Sequence, residues 1–203
     1  MSQYFVMHPT HPQRRLLVHA ADIVRNGGVI VYPTDSTYAL GCHIGDKAAL
    51  DRVRAIRRLD KLHHFTLVCR DLSELSNYAR VDNTSYRILK RHTPGPFTFL
   101  LQASREVPRR LVHPKRRTIG IRVPDHVIAQ GLLEVLGEPM MSTSLIMPDA
   151  TEAATDPAEF RAELERRVDL IIDGGACGMT ATTVVDLTEV PPVIIRAGLG
   201  VFE

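Results

Sequence analysis

Residues 27–42 read GGVIVYPTDSTYALGC, and this stretch decides how the chain is folded. Gly27 and Gly28 end a helical pattern that carries Leu16, Leu17, Ala20, Ile23 and Val24 at helical spacing from Gln13 to Asn26. Val29-Ile30-Val31-Tyr32 then predicts a buried strand. Pro33 stops it, because proline has no amide to give to a sheet. Thr34, Asp35, Ser36 and Thr37 place three hydroxyls and a carboxylate at the strand's carboxyl end. In an open α/β sheet that end is where ligands bind, and hydroxyls can hold phosphate or amino-acid oxygens. The same residues are also ordinary turn formers, so residue type alone leaves a binding turn and a structural turn both open.

Outward from this stretch, helices and strands alternate. Asp46 caps a predicted helix to about Leu59, with Ala49, Leu50, Val53 and Ile56 on its inner face, and Phe65–Cys69 reads as a strand. Asp71 and Glu74 have the spacing of a capping box. Further helices are predicted over Asp82–His92, Asp125–Leu136 and, from Asp156-Pro157, to about Arg167. Further strands are predicted over Phe97–Gln102, Thr118–Val123, Met140–Ser144, Val168–Ile172, Thr183–Leu187 and Val193–Arg196. Some connections are helices and some are short turns, which predicts one α/β domain with a mixed sheet.

The 203 residues suffice for one domain with its own core. Three cysteines, Cys42, Cys69 and Cys177, make neither a disulfide framework nor a Cys-x-x-Cys metal spacing. They read as buried thiols in a reducing cytoplasm. Neither a leader pattern nor an apolar run of about 18 residues occurs, so no membrane partner is expected. The net charge of +2 is unevenly spread. Six basic residues and one acid lie between Arg105 and Arg117, whereas Asp149–Asp173 is acidic. Such separation suggests a positive face for phosphates or nucleic acid, and Arg109, Arg110, Arg116 and Arg117 are its candidate RNA contacts. Aromatics are few (6 Phe, 5 Tyr, no Trp), so any RNA contact would be to shape and phosphate rather than by base stacking. Neither the Walker nor the Rossmann glycine pattern is present. A nucleotide would therefore be held by hydroxyls, backbone amides and arginines at several strand ends.

PTDSTYALGC resembles the strand-and-loop signature of the YrdC/YciO family. Five more segments match in order: TPGPFTF from Thr93, IRVP from Ile121, PMMSTS from Pro139, TTVVD from Thr182 and IRAG from Ile195. The resemblance covers nearly the whole chain, with a core of roughly 16–200 in a single 1–203 domain, and is nearest to the YciO branch. It implies a single-domain YrdC-like twisted mixed β-sheet with flanking helices around a concave, positively charged cleft. It implies an activity like that of threonylcarbamoyl-AMP synthase, in which L-threonine, bicarbonate and ATP give threonylcarbamoyl-AMP and pyrophosphate for tRNA modification. Mg2+ would accompany the ATP, with no dedicated metal ligands on the chain. Double-stranded RNA or tRNA binding without adenylate synthesis, and nucleotide binding without turnover, are the competing readings; the chain would be a monomer or homodimer.

By match to the family's motifs, Thr34 would grip threonine and Arg57, in place of a lysine, would face phosphate; these two are the catalytic candidates. Arg122 and His63 would join Thr34 in binding substrate. Ser142, Ser144, Thr183 and Arg196 would line the nucleotide pocket. Arg122 is a basic residue in an apolar strand, and burying it without a partner would cost several kcal/mol. Ser142 and Ser144 share one strand face. Three positions depart from the family pattern: Leu59 replaces an arginine, His63 a lysine and Ile146 an amide. Each lost charge-assisted contact is worth about 1.5–3 kcal/mol, which implies weak adenylate synthesis unless Arg58, Lys61, His63 or His64 compensates.

Overall fold

The computed structural model describes residues 1–59, 63 and 65–203. Lys61 and His64, considered above as compensating contacts, lie outside the described residues. The strands are β1 (Gln3–Val6), β2 (Ile30–Tyr32), β3 (Ala39–His43), β4 (Thr66–Val68), β5 (Phe97–Gln102), β6 (Thr118–Arg122), β7 (Met140–Ser144), β8 (Leu170–Asp173), β9 (Thr183–Asp186) and β10 (Val193–Arg196). The helices are α1 (Arg14–Arg25), α2 (Lys47–Arg57), α3 (Leu72–Tyr78), α4 (Asn83–His92), α5 (Val127–Leu136) and α6 (Pro157–Leu164). The strands form one sheet in the order β1-β8-β2-β3-β7-β4-β6-β5-β9-β10. It is mixed: β1–β8–β2, β4–β6 and β5–β9 run parallel, and the other neighbours antiparallel.

Local chemistry accounts for most boundaries. Gly27 follows α1 with φ +80°, a left-handed conformation that favours glycine, and its amide bonds Val24 O. Asp46, Asp71 and Asp82 cap α2, α3 and α4 through side-chain bonds to Ala49 N, Glu74 N and Ser85 N. The expected capping box at α3 is half formed. Glu74 reaches back past the cap and accepts from Arg70 N at 2.6 Å. A complete box forms at α6, where Glu159 accepts from Asp156 N. Two strands go beyond the sequence reading. β1 is a short segment with two exposed ends to its burial pattern, and β3 is the Ala-Leu-Gly-Cys-His half of the opening stretch, paired with both β2 and β7.

The sheet's two faces are covered unequally, and this makes the site. Odd-numbered residues such as Val29, Val31, Phe99, Ile119, Ile121 and Val185 pack with α2, α3, α4 and α6 in one large core. On the other face, Ile30, Tyr32, Met140, Leu170 and Ile172 pack beneath α1 and α5. That second layer extends only over the β1 half of the sheet. Over β4, β5 and β6 and just before β9, the even-numbered positions include Thr66, Thr98, Thr118, Gly120 and Thr182 beside the apolar Val68, Leu100 and Val184, and all of them line an open cleft. Among the described residues no helix is long and apolar enough to cross a membrane.

Candidate functional site

The uncovered half-face is the floor of a cleft of about 630 Å³. Four arginines (Arg57, Arg116, Arg122, Arg196), two histidines (His63, His113) and seven hydroxyl side chains line it, and among the described residues no carboxylate does. Gly120 keeps the floor low: a Cβ there would lie 3.3 Å from Thr66 Oγ1 and 3.4 Å from Thr98 Cγ2.

The arginines fall into two kinds. Arg122, on β6, is buried and paired with Asp35. Asp35 is held in turn by Asp125 N at 3.1 Å. The turn after β2 thus supplies the counter-ion that this inward arginine requires, while Arg122 Nε stays buried and unbonded. Arg116 pairs with the buried Asp186 at 3.5 Å. Arg57, the last residue of α2, makes no ion pair among the described residues, and its buried Nε has no hydrogen-bond partner. Among the described residues Arg196 on β10 donates only to Thr182, from Nη2 to the carbonyl at 2.8 Å and the hydroxyl at 3.2 Å and from Nε to the carbonyl at 3.3 Å. Burial lowers the pKa of both Arg57 and Arg196. A partly buried Arg57 and an exposed Arg196 lining one hollow with no carboxylate among the described residues are arranged for an anion.

The structure brings Arg57, His63, Arg122, Ser142, Ser144 and Arg196 into this cleft, residues separated by up to 139 positions (196 − 57) in the chain. Their hydroxyls are not equally available. Ser142 Oγ donates to Leu40 O at 3.1 Å and lies 2.8 Å from Tyr32 Oη, so it is tied into the sheet. Ser144, two residues on and less buried, makes no side-chain hydrogen bond among the described residues. His63 sits 3.2 Å from Thr143 Oγ1. Thr34 does not line the cleft. Its hydroxyl donates to Thr37 O at 2.6 Å, accepts from Ser36 N and Thr37 N at 3.2 Å, and lies 3.4 Å from Arg122 Nη2. It closes the turn and stands behind Arg122. Thr183 also points away, because alternation along β9 sends Thr182 and Val184 into the cleft. Thr183 Oγ1 donates to Gly200 O at 2.6 Å and accepts from Gly198 N, fastening the C-terminal segment.

The four candidate RNA arginines do not form one surface. Arg116 lines the cleft, and Arg109 and Arg117 line a separate hollow. Arg110 donates to Ile44 O and Gly45 O. Of the three family departures, His63 and Ile146 line the cleft, whereas Leu59 packs against the large core. Sequence reasoning missed the threonine floor (Thr66, Thr98, Thr118, Thr182) and His113. The available signal was the run of even-numbered threonines in strands whose odd positions are apolar.

The family model described as "Telomere recombination", Sua5/YciO/YrdC, matches residues 22–198. The chain belongs to the Sua5/YciO/YrdC family. It is 58% identical over 200 residues to the uncharacterized protein YciO of Escherichia coli, covering 98% of this chain and 97% of that one. The crystal structure of E. coli YciO superposes with a TM-score of 0.95, over 98% of this chain and 97% of that one. Threonylcarbamoyl-AMP synthase of Nitrosococcus oceani is 35% identical over 162 residues, 79% of this chain and 84% of that one. Sua5 of Pyrococcus abyssi, in complex with L-threonine, superposes with a TM-score of 0.89 at 26% identity, over 97% of this chain and 58% of that one. The resemblance read from the motifs, and the mixed α/β fold it implied, are therefore both upheld.

Proposed function

We propose that the cleft binds ATP and L-threonine and, with bicarbonate, forms threonylcarbamoyl-AMP with release of pyrophosphate. The observation that carries this reading is a cleft lined, among the described residues, by four arginines and no carboxylate, in which Arg57 and Arg196 make no ion pair with any described residue. The threonylcarbamoyl-AMP synthase relative and the L-threonine-bound Sua5 structure support the substrate pair. Bicarbonate loses water to supply carbon dioxide, the threonine amine adds to its carbon and releases a proton to give the carbamate, and a carbamate oxygen then attacks the α-phosphorus as the bond to the β-phosphate oxygen breaks and pyrophosphate leaves. Such a transfer needs placement and positive charge more than covalent participation by the protein. Arg57 and Arg196 would hold the phosphates from α2 and β10. Ser144 and the threonine floor would orient neutral oxygens. Arg122, held by Asp35 and backed by Thr34, would present its remaining donors to the amino-acid carboxylate. Among the described residues no cluster of three acidic, histidine or cysteine groups could hold a metal ion. Mg2+ would enter with the triphosphate, on phosphate oxygens and water.

The test is pyrophosphate release, measured with threonine and bicarbonate each omitted in turn. Release that requires both supports the reading; release indifferent to both refutes it. Ile146 lines the cleft where the family pattern has an amide, so Ile146→Asn is expected to raise release about 10-fold, the worth of one recovered polar contact. No change in a variant that still binds ATP and threonine would show that this departure does not limit the activity.

A further inference from the structure

A second hollow, of about 890 Å³, lies beside the cleft and shares His113 with it as a common wall. Arg80, Arg105, Arg109 and Arg117 line it, and none of the four makes an ion pair among the described residues. Backbone bonds hold them together from distant parts of the chain. Arg80 N bonds Gln102 O at the end of β5, and Ala79 bridges to Ala103. Ala103 N bonds Arg117 O, and Arg117 N bonds His113 O in a turn where Arg117 has φ +57°. A non-glycine residue in that left-handed region is sterically disfavoured, and here the backbone bonds to Ala103 and His113 hold it there.

Four exposed arginines line one hollow to which no carboxylate contributes among the described residues, so an occupant of several negative charges would meet positive charge on several sides, attracted in a salt-dependent way. We propose that this basin is a second anion site, which takes a condensed phosphate such as tripolyphosphate. Among the described residues no Phe, Tyr or Trp lines it, so they offer no platform for a base. All four arginines line one concavity, which suits a compact polyanion better than a polynucleotide backbone. The proposal does not depend on what the neighbouring cleft binds.

The experiment titrates the full chain with tripolyphosphate at about 0.15 M salt, following heat and the phosphorus resonances. Parallel titrations use the cleft variant Arg57→Ala/Arg196→Ala and the basin variant Arg105→Gln/Arg109→Gln, with folding checked by circular dichroism. The cleft variant is expected to retain one equivalent of bound tripolyphosphate. The basin variant is expected to lose that equivalent, with affinity falling about 10-fold or more. Loss of all binding in the cleft variant overturns the proposal even if the basin variant does not fold. Unchanged binding in a folded basin variant also overturns it. So does a basin variant that loses only affinity for an RNA duplex, which would assign the hollow to a macromolecule.

Discussion

Replacing Asp35 by Asn isolates the contact on which the cleft's geometry rests. Arg122 and Asp35 are each about nine-tenths buried at the side chain, at 9% and 10% exposure. Coulomb attraction is not screened there as it is at a surface, and an arginine cannot shed its charge. Removing one partner of a buried pair leaves the other charged and uncompensated, at a cost of about 3–5 kcal/mol. For a chain of this length each kcal/mol moves the melting temperature by about 2–4 °C, so Asp35→Asn should melt about 6–20 °C below the parent. The assay is thermal unfolding without ligand, repeated in urea to separate a stability change from a change in exposed surface. The double variant Asp35→Leu/Arg122→Met removes both charges and should recover much of the loss, with a coupling of about 0.5–3 kcal/mol. It should not recover ligand binding, because the inward guanidinium is gone. A melting point for Asp35→Asn within about 2 °C of the parent, or strictly additive losses in the double variant, would refute the counter-ion role assigned to the turn.

Arg57→Ala and Arg196→Ala should each weaken ATP binding about 10-fold or more, the worth of one charge-assisted contact. Calorimetry reads this, and unaltered affinity in both variants would remove the phosphate role from the unpaired arginines. His126 has its pKa lowered from 6.5, first by burial, and its buried Nδ1 has no hydrogen-bond partner. The unfolded chain therefore takes up a proton at this residue near pH 6.5 while the folded chain resists it. Stability should accordingly fall as pH drops below about 6.5. In His126→Gln the fall between about pH 7 and 5 should be shallower than in the parent; parallel profiles would show that burial of this imidazole is not the cause.

How legible the site was can be judged from single residues. Phe97–Gln102, Met140–Ser144 and Val193–Arg196 are strands at their expected limits, because alternation and turn signals there are local. β1 was missed because its burial comes from pairing with β8 across more than 160 residues. Arg122 was legible as a buried charge needing a partner, but not that the partner is Asp35, since nothing local relates positions 87 apart. Thr183 was favoured over Thr182 by motif match, and a shift of one residue along a strand reverses the face.

By itself, the sequence determined the class of fold, its family and the residue types available for holding an anion, because periodicity, caps and motifs are written in neighbouring residues. The tertiary structure alone decided which half of the sheet goes uncovered, that among the described residues Arg122 has an acid partner while Arg57 and Arg196 have none, and that the basic loop divides between two hollows. Those outcomes depend on which strands lie side by side and where α1 and α5 stop, and such placements are set by packing across the whole chain.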